Sequence, residues 1–247
     1  MINSVRSTVL FLLNKDNRGY IAPLEYNYFA KQAQLEIFEQ YFSDYSKATQ
    51  LQNARKKAIG HGDTVSQVQN KIDIFTTSVT LNYTDVGATS VGGLDDYFTL
   101  PSNLYKLINI TYKGKIVQGV PTSKFDMLTL SNLTAPSITY PIYKRNGTSL
   151  FVRPLSIYYT GATPQGTEPH LKCNYVRKPI DPVWGYNTLN NDPVYNPDIS
   201  TNFEIPPSDE TLLVLKICKL AGLSIRENDV VQATTAMEGM EYQKQNT

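Results

Sequence analysis

The stretch APLEYNYFAKQAQLEIFEQYFSDYSK, residues 22–47, decides the fold. Phe29, Ala33, Ile37, Tyr41 and Tyr45 recur at steps of four, with Phe38 and Phe42 beside them. Apolar residues at this spacing line one face of an α-helix. Pro23 suits the first helical position, where its missing N–H costs nothing. Glu25 falls in the first turn, where a negative charge meets the positive end of the helix dipole. Lys31, Gln32, Gln34, Glu36 and Glu39 make up the opposite face. The pattern predicts a rod of about 24 residues and about 36 Å. A stripe this aromatic must pack on something, and the rest of the chain has to supply it.

The partner is a second strong helix over 208–226. Pro206 and Pro207 open it, Ser208 is the expected cap, and Asp209 and Glu210 occupy the first turn. Leu212, Leu213, Leu215, Ile217, Leu220, Leu223 and Ile225 leave only Lys216 and Lys219 as mid-helix charges, so it is buried on several sides. A short helix over 4–13, capped by Ser4, precedes the aromatic rod and joins it through the turn Asn17-Arg18-Gly19 as an αα-hairpin. Beyond the rod the segment 50–71 is polar; helix resumes over about 48–59 and breaks at Gly60-His61-Gly62. A last polar helix over 229–242 carries a thin stripe of Val230, Val231, Met237 and Met240.

Between the helices the period changes to two. Val79, Leu81 and Tyr83 alternate with polar residues, as do Ile108, Ile110 and Tyr112, and later Leu171, Cys173 and Tyr175. Residues 97–100 form a short strand stopped by Pro101, and Gly114 turns the chain into Ile116 and Val117. Residues 123–128 suit a single helical turn. Asn146-Gly147 between apolar runs reads as a type I′ hairpin turn. The fold class is therefore α+β. N- and C-terminal helices (1–76 and 205–247) pack together as a helical bundle, with an antiparallel β-sandwich or open barrel (77–180) inserted. A long Pro- and Asn-rich contact loop covers 181–204.

The chain has 247 residues and a net charge of +1, so no global field draws it to nucleic acid or membrane. Two cysteines, Cys173 and Cys218, are too few for a disulfide framework and sit in apolar segments, as buried reduced thiols do. The apolar run 9–13 is too short for a membrane span and lacks a cleavage site, so folding in a cytoplasm without export is expected. His61 and His170 have no Cys or carboxylate at metal-ligand spacing. Nucleophile-elbow, P-loop and dinucleotide-binding signatures are missing from the sequence. Asp95, Asp96 and Asp192 read as turn formers. The expectation is no enzymatic activity, no cofactor and no metal.

Three sets of contact residues remain. Arg55, Lys56 and Lys57 form a basic triplet that reads either as a solvated helix end or as a contact to phosphate or an acidic neighbour. Trp184, Tyr186 and Tyr195 are aromatic residues in a loop too long to be a simple connection. Val230, Met237, Met240 and Tyr242 mark a docking tail. A tyrosine-rich β-region also admits an alternative, a recognition module that stacks its aromatic faces on a host glycan or receptor.

Four stretches carry a resemblance to a known family. They are NSVRSTVLFLLNKDNRGYIAP at the start, YNYFAKQAQLEIFEQYFSDY in the rod, FTLPSNLYKLINITYKG with VRKPIDPVWG in the middle, and FEIPPSDETLLVLKICKLAGL near the end. In this order they resemble the head-to-tail adaptor (tail-tubular, connector-ring) proteins of short-tailed bacteriophages, and are most similar to a ring protein of crAss-like phages. The resemblance implies a virion structural protein forming a ring of about twelve copies. It implies the portal protein as one partner and the next neck or tail ring protein as the other. Genomic double-stranded DNA would pass through the lumen during ejection without sequence recognition. The place of action would be the virion neck, after assembly in the bacterial cytoplasm, with no membrane insertion.

Overall fold

The computed structural model describes residues 1–13, 21–54, 62–84, 96–157, 171–190, 192–225 and 228–245. Six α-helices and a large, nearly closed mixed β-sheet account for most of them. The chain divides into two compact units, Met1–Ile74 with Pro179–Thr247, and Phe75–Lys178.

The first unit is helical. Helix α1 is Ile2–Leu13, α2 is Pro23–Ala54 and α3 is Gly62–Asp73. Helix α1 starts two residues before the expected cap, because the Ile2 N–H donates to Asn202 Oδ1 at 2.8 Å and Ser4 lies inside the helix. Helix α2 runs unbroken through the point where the sequence suggests a pause, 32 residues and about 48 Å long. Its Glu25 carboxylate reaches back to the Ala22 N–H at 3.1 Å, closing the first turn as a capping box does. The buried stripe is Tyr26, Ala30, Ala33, Gln34, Ile37, Phe38 and Tyr41, rotated from the expected one so that Phe29 and Tyr45 are only half-buried. Helix α3 is a correction: the segment 50–71 reads as polar, yet Val65, Val68 and Ile72 recur at i, i+3, i+7 and are its half-buried side against α2.

Helices α5 (Glu210–Ile225) and α6 (Asn228–Gln245) complete this unit. Helix α5 packs on α1, α2 and α6 through a core that includes Leu212, Leu213, Ile217, Cys218 and Ala221. Each fully buried Leu or Ile contributes about 1.5–3 kcal/mol. Ser208 is no cap; it lies in a 3-10 turn that leads into α5, and it bonds its neighbour Asp209. Asp209 is buried, accepting from the Tyr41 hydroxyl at 2.6 Å and Lys71 Nζ at 2.9 Å. One carboxylate thereby ties α2, α3 and the start of α5.

The second unit is the sheet. Its strands are β1 (Thr76–Thr80), β2 (Asn82–Thr84), β3 (Tyr97–Thr99), β4 (Leu104–Tyr112), β5 (Lys115–Gly119), β6 (Ile142–Asn146), β7 (Ser149–Arg153) and β8 (Leu171–Arg177). The order across the sheet is β1-β8-β4-β5-β6-β7-β3-β2. The run expected as one strand through Val79, Leu81 and Tyr83 is therefore two, split at Leu81. The strands on either side of this residue lie at opposite ends of the sheet, so the sheet curls until its two edges meet at Leu81. The Leu81 N–H donates to the Leu171 carbonyl at 2.9 Å, and its side chain enters a core with Phe98, Ile110, Leu150, Leu171 and Cys173.

The sheet is mixed, which corrects the antiparallel expectation. Strands β5 and β6 pair in parallel, Gln118 opposite Ile142 and Gly119 opposite Tyr143. A parallel pair needs a crossover, and helix α4 (Thr122–Leu130) provides it where a single turn was expected. The turn chemistry also differs. Asn146 pairs with Ser149, so the two loop residues are Gly147 and Thr148, and only Gly147 has a positive φ, 58°. That fits the turn with Gly at its first central position rather than type I′. The turn with two positive φ values is at Lys113 (45°) and Gly114 (79°), between β4 and β5.

The α5–α6 contact includes an ionic cluster. Lys216 Nζ lies 2.7 Å from Glu238 Oε1, with Lys216 also 3.5 Å from Glu36 and Lys219 3.2 Å from Glu238 Oε2. Burial pushes the Glu238 carboxyl up, but hydrogen bonds and charges from Lys216 and Lys219 outweigh it and hold the group below its usual 4.5. A lowered folded value stabilises the fold above about pH 4.5 and is lost as the pH falls through it. Glu238→Gln should therefore cost about 1–3 kcal/mol at pH 7 and much less at pH 3. Urea unfolding of both proteins at the two pH values measures the difference.

Candidate functional site

The segment 179–204, within which 181–204 is expected as a contact loop, is folded onto α1 and α2. It contains a two-stranded sheet, β9 (Tyr186–Leu189) with β10 (Asp192–Tyr195), and a bridge between Val183 and Thr201. Gln34, placed by the sequence on the solvent side of α2, is 1% exposed. Its Nε2 donates to the Ile180 carbonyl at 2.7 Å and its Oε1 accepts from the Glu204 N–H at 3.1 Å, pinning both ends of the segment.

Trp184 is the central anchor and is 2% exposed. Its indole N–H donates to Asn3 Oδ1 at 3.0 Å, and its main-chain N–H donates to Asn27 Oδ1 at 2.8 Å. The Arg6 guanidinium lies 3.8 Å from the ring centroid, a cation–π contact away from water. Tyr186 and Tyr195 stack on the indole with centroids at 5.7 and 5.9 Å. Trp184, expected to contact a neighbouring subunit, has its ring buried against residues of its own chain. Tyr186 stays 39% exposed and Tyr195 half-buried. Asn3, Arg6 and Asn27 carry no local signal, since their partner is more than 150 residues away.

Arg55, Lys56 and Lys57 lie outside the described residues, as do His61 and His170. In α6, Met237 and Met240 are 55% and 63% exposed, and the inward side is Thr234 and Glu238. The methionines thus face outward, and among the described side chains Glu238 ties the helix to Lys216 and Lys219 of α5. Val230 and Tyr242 belong to α6, but their side chains are outside the described set. Asp96, expected as a turn former, is buried and accepts from the Tyr83 hydroxyl at 2.6 Å. Cys173 and Cys218 are buried thiols, and burial pushes both up to about 11.

An open cleft of about 600 Å³ lies in the second unit between α4 and the β6–β7 hairpin. Phe125, Leu130, Pro136 and Leu155 line it with Lys144 and Arg153. Lys144 Nζ is 3.1 Å from Asp126 and 4.9 Å from the Phe125 centroid, and the Arg153 guanidinium is 5.7 Å from that ring. Sequence reading missed this site. Phe125, Lys144 and Arg153 come from three elements, and only the parallel β5–β6 crossover brings them together. Along the same segment Met127, Leu130, Leu133, Ile138 and Tyr140 are 50–95% exposed.

Among the described residues no group of three His, Cys, Asp or Glu side chains converges as a metal site would. No described helix is long and apolar enough to cross a membrane. No protein-family model matches the chain, and no characterised protein matches it at a significant level.

Trp184→Ala removes the indole from a filled site and should cost about 3–5 kcal/mol. Tyr186→Ala breaks one stacked pair and should cost about 0.5–1.5 kcal/mol. Urea denaturation followed by circular dichroism separates the two.

Proposed function

We propose that the chain is a virion structural subunit, a head-to-tail adaptor that assembles with its own copies into a ring between portal and tail. In this reading the helices of the first unit form one bundle, with α2 as the stave that stands beside its neighbour. The ring would hold about twelve copies and let double-stranded DNA pass through its lumen. The subunit acts by shape and contact, with no chemistry of its own.

The observation that carries this reading is exposed apolar surface. Five large apolar side chains, Met127, Leu130, Leu133, Ile138 and Tyr140, are at least half exposed within 14 residues of the second unit. In the first unit Phe11 and Leu12 at the end of α1, and Leu24 and Tyr28 at the start of α2, are 46–68% exposed. Clusters of this kind mark surfaces that another protein covers. Two different clusters on one chain suit a heterologous contact, in which one patch meets a different patch on the next copy and the rotation closes a ring. The order of sequence motifs supplies the identity of the ring.

Native mass measurement of the full chain, alone and with the portal protein of the same virus, tests the reading. A closed oligomer, or one that forms on the portal, is expected. A chain that stays monomeric at high concentration and never joins the portal overturns it. The exposed methionines should serve the portal contact, so Met237→Ser combined with Met240→Ser should leave thermal unfolding unchanged and weaken portal binding at least tenfold.

A further inference from the structure

We propose that the β9–β10 hairpin of one copy seats in the Lys144–Arg153 cleft of the next copy. The proposal rests on the ring reading and specifies the contact that would close it.

The hairpin has two unlike faces. In an antiparallel ladder, paired residues point to the same side and neighbours along a strand to opposite sides. Tyr186 pairs with Tyr195 and Thr188 with Pro193, and this side carries the two tyrosines that stack on Trp184. Asn187 pairs with Val194 and Leu189 with Asp192, so these four project from the opposite side. There Leu189 is 64% and Val194 49% exposed, and Asp192 is exposed beside them. The displayed face is thus a pair of aliphatic side chains with one carboxylate.

A two-stranded sheet alone is marginal in water, and this one is held rigid by the Trp184 anchor behind it. Its β10 edge is also guarded. Asn196 N–H bonds the Gly185 carbonyl, so the alternation of the ladder turns the backbone of position 193 outward. Proline there removes the outward N–H. Pairing by strand addition along β10 is disfavoured, so on that side recognition falls to the side-chain face.

The cleft has the complementary composition. Its walls are Phe125, Leu130, Pro136 and Leu155, and Lys144 and Arg153 bring two cations to it, with Asp126 as the acid among its described lining residues. Asp126 is 58% exposed in its side chain, so its hold on Lys144 is largely screened. Leu189 and Val194 match the apolar walls, and Asp192 matches the cations. Unlike charges across such a contact fix register and partner more than they add affinity. Face and cleft differ, so the contact is heterologous.

Two single-cysteine variants, Asp192→Cys and Lys144→Cys, test the contact when mixed. A bifunctional maleimide can join them only between copies, and the native thiols Cys173 and Cys218 are buried and stay silent. The mixture is assembled, with portal protein where the ring needs it. A cross-linked dimer from the mixture, far exceeding that from either variant alone, is expected. Asp192→Lys should weaken assembly at least tenfold, as should Lys144→Glu with Arg153→Glu, and the triple variant should recover most of it. Assembly without the cross-link, or indifferent to the charge reversals, overturns the hairpin contact and leaves the ring reading standing. A wild-type chain that never assembles under either condition overturns both.

Discussion

A buried carboxylate sets the arrangement of the helical unit. Asp209 is 2% exposed and would be strongly destabilising there without partners. It finds them in Tyr41 of α2 and Lys71 of α3. Apolar packing is non-directional, so a stripe such as Tyr26, Ala30, Ile37 and Phe38 tolerates small slides and rotations. A hydrogen-bonded carboxylate does not. The same constraint recurs at Gln34, which tethers Ile180 and Glu204, and at Glu238, which is held by Lys216 and Lys219. Segments far apart in sequence are joined where a buried polar group demands a specific partner.

The β-unit obeys a different constraint, the need to dispose of its edges. Splitting one continuous run at Leu81 sends β1 and β2 to opposite ends of an eight-stranded sheet. Edge strands that nearly meet expose fewer unpaired backbone groups to chance pairing. The same curvature encloses Ile110, Leu150, Leu171 and Cys173, all essentially inaccessible to solvent. The parallel β5–β6 step has a cost in chain length, the crossover through α4. That detour forms the wall of the cleft and carries the most exposed apolar residues of the unit.

Periodicity made the large elements legible. The aromatic repeat of α2, the apolar density of α5 and the alternation of Leu171, Cys173 and Tyr175 are local patterns, and each produced the element its period implies. Ends and partners were not legible. Helix α1 is capped by Asn202 from the far end of the chain, and no property of Ser4 announces that. Strand alternation says nothing of whether neighbours run parallel, so the mixed sheet was invisible. Trp184 reads as a contact residue because it is aromatic and sits among loop-forming prolines, yet its contacts include Asn3, Arg6 and Asn27 of its own chain. The cleft was missed entirely, since no spacing in the sequence relates Phe125 to Lys144 and Arg153.

The position of Trp184 has one more consequence. It is the chain's only tryptophan, and it stands where the 179–204 segment meets the helices, beneath an arginine and two tyrosines. Indole emission from this protein therefore reports on a single junction rather than on an average over the fold. The molecule carries its own optical gauge of whether this segment is seated on the helices, readable without any added label.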